Sequence, residues 1–348
     1  MSGLRWGLIG ASDIAAKRVV PAMRRLGHEV VGVTSSSAER GRAYAQSNGI
    51  PWWSTKLEEL LGRARLDAVY ISTTNELHHD QCLAAAKAGK HVLCEKPLAL
   101  SMTDAWEMVG ACEQAGVVLA TNHHLPAAGT HRAVHQLVAD GALGRPLAVR
   151  VAHAVSLPER LQGWRLNAPE RGGGVILDIT CHDAAAVGAI LGRDALEAVA
   201  VAVHQGQWQA SAEDAVVSAL RYEGDVLVQT HDAFTVSYAP TRLEVHGTEG
   251  SAFAIDVMTQ DPVGQVFLRD KKGEREVAVP DRRDLYEVAL EAFAAAASGA
   301  GTPVVDGNGG ARALAVALAV KESAESGCKV AVAAKPTNLH AGQVPPQA

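Results

Sequence analysis

The segment Ala88-Gly89-Lys90-His91-Val92-Leu93-Cys94-Glu95-Lys96-Pro97 carries a lysine that could take part in chemistry. The apolar residues 92–94 predict a buried strand, and Pro97 restricts Lys96 to extended conformations where that strand ends. In open α/β sheets ligands bind at the carboxyl edge of the strands. A lysine there can polarise a carbonyl or share a proton. A solvated loop lysine is the alternative, because charged residues are mostly exposed.

A second candidate pair follows the glycine run Gly172-Gly173-Gly174. Asp178 and His182 are four residues apart, so on a helix they share one face and can hydrogen-bond. A carboxylate that orients an imidazole makes a competent general acid. An ordinary contact on a helix surface is the alternative. The glycines favour the functional interpretation, since they let the backbone approach another group closely.

The elements that must position these residues begin at the N-terminus. Residues 5–10 predict a buried strand closing on a glycine, and an apolar-periodic helix follows with Pro21 near its start, where proline is tolerated. A strand, a glycine turn and a helix N-terminus form a site for a pyrophosphate. The turn reads Gly10-Ala11-Ser12-Asp13-Ile14-Ala15. It matches the first and last positions of the G-x-G-x-x-G/A pattern and carries Ser12 at the middle one.

The second predicted strand, residues 29–33, leads to Ser35, Ser36 and, one turn into the next helix, Arg40. NAD-binding proteins place an acidic residue here, which holds the ribose hydroxyls and would repel a 2′-phosphate. Serines and an arginine would instead bind that phosphate. We therefore predict NADP(H) rather than NAD as the cofactor. A serine helix cap beside a surface arginine is the alternative.

The alternation of strands and helices continues to residue 122 and predicts a parallel, doubly wound sheet. Further strands are predicted at residues 52–53, 67–72 and 117–120, and helices at 57–61, 76–88 and 103–115. Thr73, Thr74 and Asn75 follow the fourth strand, at the edge that carries Lys96, and could line a cofactor. His78 opens the next helix, where it could equally be a capping or surface residue.

After residue 122 the pattern changes to sequential strands, which predicts a mostly antiparallel sheet. Strands are expected at 147–155, 196–203, 215–222, 226–234, 242–246, 252–255, 263–268 and 275–279, and helices at 133–140, 286–297 and 310–325. We predict a dinucleotide-binding domain at residues 1–122 and a catalytic α+β domain at 123–334. Residues 335–348, rich in Pro, Gln and Gly, are predicted to form a disordered tail.

Composition excludes several classes of protein. The 348 residues, 48% hydrophobic and 20% charged, are typical of a soluble chain of two domains. A net charge of -6 argues against a nucleic-acid partner. Five cysteines without a C-x-x-C pair indicate reduced thiols and a cytoplasmic protein. Neither a membrane-length apolar run nor a signal peptide is expected, and no metal site is predicted, because the histidines lack carboxylate or cysteine partners at ligand spacing.

Four motifs together resemble the glucose–fructose oxidoreductase and inositol dehydrogenase (Gfo/Idh/MocA) family. They are the glycine turn, Thr73-Thr74-Asn75-x-x-His78, the segment ending in Glu95-Lys96-Pro97, and Gly172-Gly173-Gly174 followed by Asp178-x-x-x-His182. They occur in the family's order over nearly the whole chain. The resemblance implies an α/β chain: a Rossmann domain with a doubly wound parallel sheet, then an α+β domain with a large, mostly antiparallel open sheet.

The resemblance also implies an activity, the reduction of the C2 ketone of a cyclic sugar derivative by NADPH. It makes Lys96 the catalytic lysine, His182 the acid and Asp178 its carboxylate partner. The cofactor positions it implies are Gly10, Ala11, Ser12, Asp13, Ile14, Ala15, Ser35, Ser36, Arg40, Thr73, Thr74, Asn75, Glu76, Leu77, His78, Glu95 and Lys96, with Asn122, Trp164, Arg165 and Tyr286 completing the cleft. Ser12, Asp13 and Thr180 depart from the usual family pattern.

Other functions remain open at this point. One is an NAD-dependent sugar or inositol dehydrogenase, against which Ser35 and Arg40 speak. Another is a non-catalytic NAD(P)-binding regulator, which need not keep Lys96, Asp178 and His182 together. A redox-cycling glycosidase of the same family is a more distant third. A monomer and a homo-oligomer are both compatible with the sequence.

Overall fold

The computed structural model of the chain describes residues 3–206 and 211–336. Contacts divide these residues into two compact units. Unit 1 contains residues up to 122, residues 286–311 and residues 335–336, and unit 2 contains residues 123–285 and 312–334. Most of the predicted tail, residues 337–348, lies outside the described residues.

Unit 1 is built on a parallel sheet. Its strands are β1 (Arg5–Ile9), β2 (Glu29–Thr34), β3 (Trp53–Ser54), β4 (Ala68–Ile71), β5 (His91–Cys94) and β6 (Leu119–Thr121). They pair in the order β3-β2-β1-β4-β5-β6, all parallel. Strands covered on both faces read as continuous apolar runs, and every residue of β4 is buried. The strand order reverses between β1 and β4, which places the loops after these strands side by side. The predicted doubly wound sheet is confirmed.

Five helices of unit 1 follow its strands. They are α1 (Val20–Arg25), α2 (Ala38–Ser47), α3 (Leu57–Leu61), α4 (His78–Lys87), preceded by a 3-10 turn (Asn75–Leu77), and α5 (Met102–Ala115). After unit 2 the chain returns with a long helix at residues 286–297, whose Phe293 ring lies 5.0 Å from the ring of Trp6 in β1. This return closes the core of unit 1.

The prediction that Pro21 lies near the start of its helix is confirmed, since Pro21 is in the first turn of α1, but other helical turns precede α1. The helical path already begins at Asp13, passes through a π-helical turn (Ala15–Val19), and reaches Pro21 as the second residue of α1. Proline has no N–H to donate to the residue four positions earlier, so it breaks a regular α-helical ladder. The π turn, closed by the Val20 N–H on the Ala15 carbonyl, accommodates that missing donor.

Unit 2 contains a large, mostly antiparallel sheet. From residue 123 onward the chain forms α6 (Gly129–Ala139), β7 (Pro146–Ala154), α7 (Gln162–Asn167), a π-helical turn (Ile176–Thr180), α8 (Cys181–Leu191), β8 (Ala195–Val203), β9 (Ala215–Tyr222), β10 (Val226–Ala233), β11 (Arg242–Gly247), β12 (Gly250–Ile255), β13 (Gln265–Asp270), β14 (Gly273–Glu276), α9 (Leu285–Ala297), α10 (Gly307–Ser326) and β15 (Val330–Ala331), with 3-10 turns at Leu125–Ala127, Glu159–Leu161 and Pro169–Arg171. Of these, α9 belongs to unit 1 apart from its first residue, and α10 belongs to unit 2 from Arg312 onward. The sheet order is β14-β13-β12-β11-β7-β10-β9-β8-β15. Among the described strands of this second sheet, only β7 and β10 pair in parallel.

The bounds of several elements differ from the sequence-based expectations, among them those of α6 and β14. Helix α6 begins four residues before the predicted 133. Strand β14 begins at Gly273 rather than at 275, because Gly273 pairs directly with Asp270 and its positive φ of 102° closes a two-residue hairpin. The strand ends at Glu276, before the predicted 279.

One face of the unit 2 sheet is covered by helices, and the other exposes apolar side chains. Val201 on β8 and Val217 on β9 are cross-strand partners, and Leu227 on β10 lies opposite Arg221 of β9 on the same face. Val201 and Leu227 are 67% and 63% exposed. On the covered side, α6 and α8 contact each other, and α8 contacts β7. Helix α8, which carries the candidate general acid His182, therefore packs on this sheet.

Candidate functional site

The glycine turn of unit 1 lies against the loop that follows β4. Gly10 has a φ of 109°, and a Cβ there would come within 2.9 Å of the Ser72 backbone, so glycine is required. Ser12, at the position of the usual middle glycine, donates from Oγ to Ser72 Oγ at 2.8 Å and accepts from the Ala15 N–H at 3.2 Å. Ser12, which replaces the usual glycine, thus connects the turn to the loop after β4 by a hydrogen bond.

The remaining residues of the turn divide between the core and the surface. Ala15 is fully buried, and Ala11 and Ile14 pack against the same apolar cluster. Asp13 forms an exposed ion pair with Lys17 at 2.8 Å, which partly offsets the acid that the sequence places near the turn. The turn keeps the close backbone approach and the following helical segment that a pyrophosphate site needs.

The predicted phosphate-binding cluster of unit 1 is brought together. Arg40 donates from Nε to Ser35 Oγ at 3.1 Å and from Nη2 to Ser36 Oγ at 3.0 Å. The helix cap is provided by the next serine, Ser37, whose Oγ accepts the Arg40 N–H at 3.3 Å. Strand β2 ends in Thr34 rather than in an acid. This donor set fits a 2′-phosphate.

The loop after β4 is held by its own side chains. Thr73 Oγ1 donates to Gln81 Oε1 and Thr74 Oγ1 to Glu76 Oε1, both at 2.7 Å. Asn75 is buried, whereas Leu77 is exposed. The last residue of the predicted loop, His78, is completely buried.

Lys96 follows a residue that is tightly held. The Glu95 carboxylate accepts from the Tyr70 hydroxyl and, at 2.6 Å, from Asn122 Nδ2. Burial, together with the charge of Glu95, raises the pKa of Tyr70 well above its ordinary value. Glu95 Oε2 also accepts the Lys96 N–H at 3.4 Å, and the Lys96–Pro97 peptide is cis. Strands β4, β5 and β6 therefore fix the backbone from which Lys96 extends.

Tyr286 lies in the hydrophobic core of unit 1 and is 2% exposed. Its predicted place in a substrate cleft stays a prediction.

In unit 2 the structure brings together three of the predicted site residues, Trp164, Arg165 and Asp178. Asp178 lies in the π-helical turn, where its Oδ2 accepts from Arg165 Nε at 3.1 Å. The guanidinium of Arg165 lies 4.7 Å from the ring centroid of Trp164. His182 lies in the first turn of α8. That Asp178 orients His182 stays a prediction.

Two residues beside His182 were missed as site candidates. His182 Nδ1 lies 3.2 Å from His123 Nδ1, so one of these nitrogens must carry the proton. The His124 ring centroid lies 4.6 Å from that of His182. The signal was present in the sequence, since His123 and His124 directly follow Asn122 at the carboxyl end of β6.

The glycine run makes the close approach that its sequence predicts. The Gly173 N–H donates to the Ala168 carbonyl at 3.0 Å and the Gly174 N–H to the Arg165 carbonyl at 2.7 Å. A Cβ on Gly174, whose φ is 106°, would collide with the Glu213 carboxylate. The glycines thus pack α7 onto the π turn, which places Arg165 next to Asp178.

Buried acids anchor the residues on both sides of His182. Thr180 Oγ1 donates to Asp232 Oδ2 at 2.5 Å, and Asp183 Oδ1 lies 2.7 Å from His153 Nδ1. Burial raises the pKa of Asp183 to about 7, and burial with the nearby Asp183 carboxyl raises that of Asp232 well above its usual range. Thr180, which departs from the usual family pattern, is therefore hydrogen-bonded to Asp232 of strand β10.

Within residues 3–206 and 211–336, no group of three or more His, Cys, Asp or Glu side chains is arranged to hold a metal ion. One segment, Pro169–Leu191, is long and apolar enough to cross a membrane, with a mean hydropathy of 1.5 over its best 18 residues. Because 83% of that stretch is buried inside the protein, it resembles the core helix of a globular unit.

The parallel sheet of unit 1 is a Rossmann sheet, and the family to which the chain belongs makes it an NAD(P)-binding oxidoreductase. Residues 4–123 match the model of the GFO/IDH/MocA oxidoreductase family with an NAD-binding Rossmann fold, and residues 131–253 match the GFO/IDH/MocA C-terminal domain. The chain belongs to this family, which confirms the resemblance.

Individual relatives are similar over almost the whole chain. A 1,5-anhydro-D-fructose reductase of Ensifer adhaerens is 54% identical over 323 residues, 93% of this chain and 97% of the relative. A D-xylose 1-dehydrogenase (NADP(+)) 2 of Haloferax volcanii is 30% identical, with 94% and 99% covered. The solved aldose-aldose oxidoreductase of Caulobacter crescentus shares the fold, with a TM-score of 0.85 at 24% identity and 94% and 99% of the two chains covered.

Proposed function

We propose that this protein is an NADPH-dependent reductase that transfers a hydride to the C2 ketone of a cyclic sugar derivative. The substrate we favour is 1,5-anhydro-D-fructose, reduced to 1,5-anhydro-D-mannitol. The observation that carries the proposal is the 54% identity to a 1,5-anhydro-D-fructose reductase over 97% of that relative. Lys96, Asp178 and His182 supply the polar groups that such a reaction needs.

The choice of NADPH rests on the cluster around Arg40. Its guanidinium holds the Ser35 and Ser36 hydroxyls at 3.1 and 3.0 Å, so three donors converge at the end of β2. Charge-assisted hydrogen bonds from arginine to phosphate are among the strongest in proteins. An NADP-dependent relative, the xylose dehydrogenase, is compatible with this choice.

NADPH, when bound, supplies the hydride. The ammonium group of Lys96 stabilises the negative charge that develops on the carbonyl oxygen, a contribution typically worth about 3 kcal/mol for one donor. His182 gives the proton to that oxygen, and Asp178 holds the imidazole in the orientation required. Arg165 in turn fixes the Asp178 carboxylate at 3.1 Å.

Two other functions would need only part of these residues. A dehydrogenase oxidising a sugar or an inositol with NAD would not need Arg40 against two serine hydroxyls. A cofactor-binding regulator would not need Lys96, Asp178 and His182. The reductase interpretation uses both sets of residues.

The experiment is a product assay with the purified chain. We incubate it with 1,5-anhydro-D-fructose and either NADPH or NADH, and identify the product by chromatography and NMR. We expect 1,5-anhydro-D-mannitol, formed at least about tenfold faster with NADPH, the ratio that about 1.4 kcal/mol of selective binding provides. Oxidation of inositols or sugars with NAD as the main activity, or cofactor binding without any turnover, would contradict the proposal.

A further inference from the structure

His78 is a buried histidine placed between two loops of unit 1. It is the first residue of α4 and is 0% exposed. Its Nδ1 lies 3.0 Å from the carbonyl oxygen of Pro97, in the loop after β5. Its Nε2 lies 3.4 Å from the carbonyl oxygen of Thr73, in the loop after β4. One ring therefore touches both the loop predicted to line the cofactor and the residue that follows Lys96.

The two contacts are not equivalent. Burial lowers the pKa of His78, outweighing the raising effects of the neighbouring carbonyls and of Glu95. The neutral ring that results at neutral pH has one N–H. A 3.0 Å separation is that of a normal hydrogen bond, whereas 3.4 Å is beyond the usual range. We assign the proton to Nδ1, which donates to Pro97, and the Nε2 edge packs against Thr73.

The Pro97 bond completes the fixation of the lysine backbone. Before Lys96, the Glu95 carboxylate is held by Tyr70 and Asn122. After Lys96, the Pro97 carbonyl is held by His78. Glu95 and Pro97, the two neighbours of the lysine, are thus both held by side chains of other segments. The backbone of Lys96 cannot shift without breaking one of these hydrogen bonds.

We propose that His78 is a positioning residue: its Nδ1–H fixes the backbone of the Lys96–Pro97 segment and thereby the place of the Lys96 ammonium in the reaction. This inference rests on the proposed function of Lys96. His78 itself does not touch the substrate, because it is completely buried. Its effect on turnover must therefore pass through Lys96.

Two amide variants separate the hydrogen bond from the volume of the side chain. In His78→Asn the amide nitrogen takes the place of Nδ1, and in His78→Gln it takes the place of Nε2. We expect His78→Gln to lower kcat by about tenfold, since small misplacements of a catalytic group are costly, and His78→Asn to restore most of the loss. His79→Leu, which changes the neighbouring histidine bonded to Asp80 and Glu107, is the matched control.

A double-mutant cycle with Lys96→Ala tests the route of the effect. If His78 acts through Lys96, His78→Gln changes kcat by less than about twofold once the lysine is removed, because coupled residues are non-additive. A loss of the same size with and without Lys96, or equal kcat values in the Asn and Gln variants, would overturn the proposal. Thermal unfolding and NADPH titration show whether each variant is folded.

A readout without substrate keeps this inference separate from the proposed function. The ¹⁵N chemical shifts of the His78 imidazole should show a protonated Nδ1 and an unprotonated Nε2 in the wild-type protein. The opposite tautomer would overturn the positioning role even in an active enzyme. The correct tautomer in a protein that turns over no sugar ketone would instead place the failure in the proposed function.

Discussion

Arg165 links two parts of unit 2 that are thirteen residues apart: its Nε donates to Asp178 Oδ2 at 3.1 Å. The same guanidinium lies 4.7 Å from the centroid of the Trp164 ring, which holds the side chain in place. Helix α7 is thereby fixed to the π turn that precedes His182. In the proposed mechanism Asp178 orients the general acid His182. Arg165 therefore acts one step further away, by holding Asp178 in place.

Replacing Arg165 should therefore impair turnover without unfolding the protein. We expect Arg165→Met to lower kcat/KM by about tenfold or more, because the bond that fixes Asp178 is lost. Arg165→Lys should recover only part of the loss, since lysine lacks the planar fork. Steady-state kinetics are compared with Arg193→Met, which removes another arginine of the same unit, one that donates to the Glu223 carbonyl. Equal activity in the Arg165 and Arg193 methionine variants would contradict this role.

Cofactor choice is predicted to depend on Arg40. Arg40→Ala should raise the Kd of NADPH by about tenfold or more, the value of one lost charge-assisted hydrogen bond. The Kd of NADH should change by less than about twofold, because NADH has no 2′-phosphate. Fluorescence titration measures both, and Arg42→Ala, an arginine of the same helix that lies over the Trp53 ring, is the control. Parallel changes for the two cofactors would remove the 2′-phosphate argument.

His131 on α6 should make the protein sensitive to acid. Burial, with repulsion from His153, lowers the pKa of His131 to about 3. The unfolded chain binds a proton below about pH 6.5 while the folded chain does not, so stability is lost as the pH falls from about 6.5 towards 3. Between pH 6.5 and 5 the wild type should lose about 2 kcal/mol more than His131→Leu. Urea denaturation at both pH values measures the difference. Identical losses in the wild type and in His131→Leu would show that His131 is not buried as a neutral ring.

Asp183 should act in the opposite direction. Burial raises its pKa to about 7, so the folded protein retains a proton that the unfolded chain releases above about pH 4. Its contribution to stability is present at low pH and is lost as the pH rises from about 4 to 7. Asp183→Asn should therefore flatten the decline in unfolding free energy over that interval. The same urea series measures it, and an unchanged slope would contradict the assignment.

The sequence predicts those parts of the site that depend on local order along the chain. Gly10, the hydroxyls after β2, and the lysine after β5 all follow apolar strands, and parallel strands bring their carboxyl ends to one edge. Arg40 reaches its two serines because they lie four and five residues before it on the same strand-to-helix connection. Such contacts follow from spacing.

Contacts between distant segments could not be predicted in this way. Thr180 hydrogen-bonds to Asp232, which is 52 residues away in the sequence, because α8 packs over the sheet that contains β10. Tyr70 reaches Glu95 because β4 and β5 are neighbours in register. From its residue type and position, His78 could equally be a surface or capping residue. It is buried because the loops after β4 and β5 both contact its ring, through Thr73 and Pro97. Each of these depends on the completed topology.

The most direct test of the proposed reductase is the initial rate of NADPH consumption at 340 nm with 1,5-anhydro-D-fructose. We compare the wild type with Lys96→Ala and His182→Ala, using Lys90→Ala and His135→Ala as controls from the same strand-to-loop segment and the same unit. We predict rapid turnover by the wild type and both controls, and a loss of about 10²-fold or more in kcat for Lys96→Ala and for His182→Ala. NADPH binding should survive in both. Near-normal turnover in Lys96→Ala and His182→Ala would contradict the assigned catalytic roles.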